Sequence, residues 1–75
     1  MFFESKVFDC SVNADHISCF EIQRSTVAGF GEYILIAHLR GGGRVFMDTA
    51  DQVELLDKQK RAYIDVMEGR GRRKL

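Results

Sequence analysis

Apolar positions in this chain fall into several short clusters followed by one long periodic stretch. Between Phe2 and Cys10 the apolar residues Phe2, Phe8 and Cys10 take even positions, while Phe3 and Val7 take odd ones. This gives strand character with apolar side chains on both faces. Asn13-Ala-Asp-His16 reads as a turn, because Asn and Asp side chains hydrogen-bond nearby backbone amides in place of a strand ladder. A second strand is expected from Ile17 to about Arg24, and a loop over Ser25 to Glu32. Tyr33 to Arg40 is the most apolar strand, bounded on both sides by turn signals, and both of its faces are expected to be covered. Arg44 to Asp48 forms the fourth strand, and every connection is too short for a parallel crossover. The predicted fold is α+β, a four-stranded antiparallel meander (ββββ) followed by one C-terminal α-helix packed on the sheet.

Gly41-Gly-Gly43 supplies the tight turn of a hairpin, since such loops need positive φ angles that a residue without Cβ reaches cheaply. Downstream, Thr49 and Gln52 have the spacing of a capping box, which predicts a helix start near Ala50. At about 100° per residue, Val53, Leu56, Tyr63, Ile64 and Met67 fall on one stripe, the expected core face. Lys60 lies inside that stripe and is expected where the helix overhangs the sheet, its methylenes on apolar surface and its ammonium in water. On the opposite side Leu55, Ala62 and Val66 form a smaller stripe that a monomer leaves wet, a candidate surface for self-association. Glu54 with Lys58 and Asp57 with Arg61 are i,i+4 pairs. Gly69 suits the residue after the helix end.

At 75 residues the chain is long enough for one small core, and chains of this size often gain stability from a partner subunit. A single domain is expected over 1–69, with a basic flexible tail over 70–75. Eleven bases balance eleven acids, but the balance is uneven along the chain. Arg70, Arg72, Arg73 and Lys74 make the tail +4, and the other seven bases against eleven acids make the body −4. An acidic body argues against a folded surface that grips a phosphate backbone, so any contact with nucleic acid or an acidic partner is expected through the tail. Met1 to Lys6 lacks the apolar stretch of a signal peptide, and no segment approaches the roughly 20 apolar residues needed to cross a bilayer. The expected location is the cytoplasm, without membrane association.

Cys10, His16, Cys19 and His38 are the soft metal ligands of the chain, and they lack the paired spacing that lets two ligands share one turn. They are read as ordinary histidines and free thiols, the cysteines behaving as small buried hydrophobes. Pairing of Val12 with Ile17 would bring Cys10 near Cys19, but a reducing compartment favours the thiols. None of Ser11, Ser18, Ser25 and Thr26 sits in a nucleophile elbow. Gly29-Phe-Gly31 and Gly41-Gly-Gly43 both precede strands, whereas phosphate cradles open onto a helix N-terminus. No catalysis, cofactor or metal is expected.

Two features remain for binding. Phe30 lies between glycines in a polar loop, as a contact residue or as a plug over the sheet end. A sheet edge offers unpaired amides and carbonyls to another chain, and Glu4, Lys6 and Asp9 look like charges that blunt the edge of the first strand.

Val12-Asn-Ala-Asp-His-Ile17, Phe20-Glu21, Leu39-Arg-Gly-Gly-Gly-Arg-Val45 and Asp48-Thr-Ala-Asp-Gln-Val53 follow one another as turn and strand, hairpin, and acidic helix start. In this the chain resembles, over Val12 to Tyr63, the FlbD/SwrD family of small bacterial flagellar-locus proteins. The resemblance implies a small accessory protein in motility or its regulation that acts by protein contact, with no family catalytic residue. The expected function is a small cytoplasmic protein-interaction or regulatory module, with Phe30, Leu55, Ala62 and Val66 as candidate contacts and a homodimer through the helix back. The alternative is a nucleic-acid-associated protein that uses Arg70, Arg72, Arg73 and Lys74.

Overall fold

The computed structural model describes residues 1–26 and 28–72, with side chains through residue 69. Two short strands come first, β1 (Phe2–Glu4) and β2 (Ser11–Asn13), then one turn of 3-10 helix (Ala14–His16). Three longer strands follow, β3 (Ile17–Arg24), β4 (Tyr33–Leu39) and β5 (Arg44–Ala50), and then the helix α1 (Val53–Arg72). The fold is α+β with antiparallel sheets and one C-terminal helix, but the sheet is divided. β1 pairs only with β2, and β3, β4 and β5 form a separate three-stranded sheet in that order.

The expected four-stranded meander fails at Ser5. Its hydroxyl accepts hydrogen bonds from the amides of Val7 (3.1 Å) and Phe8 (3.0 Å), a local alternative to the strand ladder that bends the chain. The Ser5 amide then donates to the Cys10 carbonyl at 2.9 Å and closes the loop. The segment read as one strand from Phe2 to Cys10 is therefore a hairpin, with Phe3 opposite Val12 instead of Val12 opposite Ile17. Asn13 behaves as expected, its side chain capping the 3-10 turn by accepting from the Asp15 amide.

The hairpin between β4 and β5 closes through Leu39 and Gly43, and the left-handed conformation falls on Gly42 (φ +95°) and Gly43 (φ +85°). Strand β5 continues two residues beyond the expected Asp48, pairing Thr49 with Ile34 and Ala50 with Tyr33. This overturns the capping box. The Thr49 hydroxyl donates to the Tyr33 carbonyl at 2.9 Å and accepts from the Gly31 amide at 2.8 Å. Its two partners hold the loop before β4, so the helix starts at Val53 rather than near Ala50. It also continues through Gly69 to Arg72, so Gly69 is an interior helix residue and not a terminator.

The core lies between α1, the hairpin and one face of the three-stranded sheet. Phe3, Val12, Ile17, Leu35, Met47, Leu56 and Tyr63 are buried there, with Phe20, Ile22 and Met67 packed against them. Tyr63 joins the layers, its ring 4.6 Å from that of Phe3 and stacked on Phe20 at 5.4 Å. Of the expected core stripe, Leu56 and Tyr63 are buried, while Ile64 and Met67 are half-buried. Val53 is 38% exposed. A helical side chain covers the turn N-terminal to its own Cα, and the first residue of a helix has none to cover. Strand β4 is buried on both faces, Ile34 to Ala37 without interruption, as its continuous apolar run predicts.

Candidate functional site

The site is built from the two outer strands of the main sheet, whose edges are treated differently. On β5 the outward carbonyl of Phe46 accepts from the Ser5 hydroxyl at 2.6 Å, and that of Met47 accepts from the Lys6 amide at 2.7 Å. The Lys6 ammonium lies 4.0 Å from Asp48. The loop that broke the expected first strand thus covers the β5 edge. Of Glu4, Lys6 and Asp9, Glu4 lies at the end of β1, while Lys6 and Asp9 fall in the loop after it and not on a strand. The Ser5 hydroxyl and the Lys6 amide do the covering.

Strand β3 occupies the other edge, where the expected meander had an interior strand. No other strand among the described residues pairs with its outer side. The Ser25 amide donates to the Glu32 carbonyl at 2.8 Å, and these residues continue the register in which Arg24 opposes Tyr33 and Gln23 opposes Ile34. Hydrogen-bonded and non-bonded pairs alternate along an antiparallel ladder. Glu21 and Gln23 therefore bond inward to β4, whereas Phe20, Ile22 and Arg24 turn their N–H and C=O groups outward. A bulge between Ile17 and Cys19 marks the beginning of the strand, and the register is regular from there to Arg24.

Beside this edge, between β3 and α1, lies a groove of about 350 Å³ lined by Ile17, Phe20, Ile64 and Met67 together with Lys60 and Glu68. Lys60 is half-buried, with its ammonium 3.8 Å from Asp57. It borders the groove where α1 reaches over β3, as its place in the apolar stripe predicts. Asp57 also accepts from Arg61 at 3.1 Å, the expected i,i+4 pair.

The face of the sheet away from α1 carries a polar chain. His38 Nε2 donates to Glu21 Oε1 at 2.6 Å, the only direction open to an ionised carboxylate, and Gln23 Nε2 donates to Glu21 Oε2 at 2.8 Å. The Gln23 and His38 hydrogen bonds hold the Glu21 carboxyl below its usual value. Farther along this face Phe8, Phe30 and Phe46 form an aromatic trio with ring centres 6.0 to 6.4 Å apart. The Arg44 guanidinium lies 5.7 Å from the Phe46 ring centre.

The remaining sequence candidates are dispersed. Phe30 is half-buried in the aromatic trio, so its ring packs on Phe8 and Phe46 and only part of it is open to contact. Leu55 (56% exposed), Val66 (44% exposed) and Ala62 line the outer side of α1, away from the groove. Cys10 and Cys19 are free thiols but exposed rather than buried, because Cys10 ends the loop and Cys19 sits on the edge strand. Among the described residues no group of three or more His, Cys, Asp or Glu gathers to hold a metal ion. The side chains of Arg70, Arg72, Arg73 and Lys74 lie outside the described residues. No helix among the described residues is long and apolar enough to cross a membrane. The feature sequence reasoning missed is the β3 edge. Its residues were read as a strand, but which strand lies outermost depends on pairing at long range.

No family model, curated protein or solved structure matches the chain.

Proposed function

We propose that this chain is a small non-enzymatic protein-interaction module, of regulatory rather than catalytic use, whose recognition surface is the outer edge of β3 with the groove beside it. The observation that carries this reading is the asymmetry of the sheet. Ser5 and Lys6 cover the β5 edge, while the outward amides and carbonyls of Phe20, Ile22 and Arg24 on β3 pair with no strand among the described residues. Such an edge binds an extended segment through main-chain hydrogen bonds, and an adjoining pocket adds side-chain selectivity. The groove under Ile64 and Met67 supplies that pocket. The resemblance to the FlbD/SwrD family suggests a partner among motility proteins.

The test is affinity capture from the native cell with wild type and with Arg24→Pro. Proline at an edge position whose N–H points outward leaves the internal ladder intact and removes a donor from the edge. The reading expects a stoichiometric partner that Arg24→Pro loses. That partner should remain with Leu55→Asp/Val66→Asp and with deletion of residues 70–75. A captured set indifferent to Arg24→Pro overturns it. Loss of capture with the deletion alone would instead favour the basic tail and a nucleic-acid or acidic partner.

A further inference from the structure

We infer that the segment added to this edge is the β3 strand of a second copy of the chain, paired antiparallel across a two-fold axis at Ile22 so that two three-stranded sheets become one. This deepens the reading above and rests on it.

The backbone restricts the register. Because Phe20, Ile22 and Arg24 point their polar groups outward, symmetric pairing must set even-numbered residues opposite even-numbered ones. A centre at Glu21 opposes two carboxylates, a destabilising like-charge pair. A centre at Phe20 draws the bulge beside Ser18 into the ladder and leaves Arg24 beyond it. A centre at Gln23 sets Ile22 against Arg24. With the centre at Ile22, the two isoleucines face each other, each Phe20 faces an Arg24, and each Glu21 faces a Gln23. Every outward N–H and C=O of these three residues then finds a partner. Arg24 already lies 5.9 Å from the Tyr33 ring centre, and in this register it gains a second ring, Phe20, as a cation–π neighbour. Gln23 already bonds Glu21 along the strand, and across the axis the same chemistry repeats.

The groove and the charge agree with this occupant. An axis perpendicular to a continuous sheet sets both helices on one face, and the groove beside Ser18 to Phe20 of each copy is then bordered by Arg24 to Thr26 of the other. The formal net charge of zero places no long-range repulsion between copies. The paired segment Phe20 to Arg24 holds no proline, since the chain contains none, and the bulge of the strand lies before it, between Ile17 and Cys19.

Sedimentation velocity of the wild type at micromolar concentration is expected to give twice the 8.6 kDa chain mass. Arg24→Pro should sediment as a monomer with a wild-type circular dichroism spectrum, and Leu55→Asp/Val66→Asp should remain a dimer. A monomeric wild type, or a dimer that folded Arg24→Pro leaves intact, overturns the inference, as does a dimer lost in the helix-back variant. If Arg24→Pro does not fold, the register is read by cross-linking in a Cys10→Ser/Cys19→Ser background. In air-saturated buffer, with dissolved oxygen taking the two electrons and two protons, Glu21→Cys and Gln23→Cys chains are expected to form a mixed disulfide on mixing, at least tenfold faster than either chain alone. Equal rates overturn it. A monomeric wild type that still captures another protein in an Arg24-dependent manner removes the second copy and leaves the edge reading standing.

Discussion

The Ser5 hydroxyl donates to the Phe46 carbonyl across 41 positions of sequence and accepts from the amides of Val7 and Phe8. One side chain therefore ends β1, shapes the loop and covers the β5 edge. Ser5→Ala removes all of these bonds and leaves the half-buried Phe46 carbonyl without this donor. A loss of about 1–3 kcal/mol in urea unfolding is expected, with increased aggregation because the β5 edge opens. Light scattering of the variant against wild type at equal concentration checks the second effect. An unchanged unfolding midpoint would mean that the backbone bonds of Ser5 and Lys6 and the aromatic contacts hold the loop without the hydroxyl.

Thr49 and Gln52 separate two roles that share one sequence pattern. The Thr49 hydroxyl bridges the Gly31 amide and the Tyr33 carbonyl, so Thr49→Val should cost about 1–3 kcal/mol by leaving both without their partner. Gln52 is exposed, and without a capping box Gln52→Ala should stay within about 0.5 kcal/mol of wild type. Chemical denaturation of the two variants checks this. Equal losses would return the capping box.

The limits of the sequence lie in the same residues. Ile17 to Arg24 and Tyr33 to Leu39 were legible because β-branched and apolar residues run between clear turn signals, and the glycines of the hairpin fall where the turn needs positive φ. Phe2 to Cys10 was not, because apolar residues at both parities conceal a bend made by a single serine hydroxyl. Thr49 misled because the hydroxyl that caps a helix also satisfies a neighbouring loop, and only the fold brings Gly31 to it. The helix back at Leu55, Ala62 and Val66 was legible from periodicity alone. The β3 edge was not, since strand order is a property of long-range pairing.

Leu55 and Leu56 are adjacent and differ almost completely in burial, 56% and 1% exposed. Leu56→Ala should cost about 2–5 kcal/mol by opening a cavity against the sheet, whereas Leu55→Ala should fall within about 0.5 kcal/mol of wild type. Thermal unfolding of both checks the assignment of the two helix faces. A comparable loss at Leu55 would show that the outer face is covered in solution and would favour a helix-back dimer.

Gly31 is a matter of space. A Cβ there would meet the Ala50 carbonyl carbon and oxygen at 2.7 Å, while one at Gly41 meets nothing within 4 Å, and neither glycine has positive φ. Gly31→Ala must push β5 away from the loop and should cost about 1–3 kcal/mol. Gly41→Ala should be neutral or stabilise by about 0.4–1 kcal/mol, because it restricts the unfolded chain. The order of the two melting temperatures decides the point.

Glu21 sets the acid limb of stability. Its carboxyl is held below the ordinary value of 4.5 by the Gln23 and His38 hydrogen bonds, so the unfolded chain binds its proton more readily than the folded one. The stabilisation is fully present above the unfolded value and is lost as pH falls through the lower folded value. Glu21→Gln cannot lose it by protonation. Melting temperatures measured from about pH 7 down to about pH 3 should show wild type above the variant at the start and the gap closing below about pH 4.5, most of the closure falling at the acid end. Glu21 is exposed enough for salt to screen it, so added salt should narrow the gap at neutral pH. A gap independent of pH would mean that Glu21 acts through packing or a neutral hydrogen bond instead of its charge.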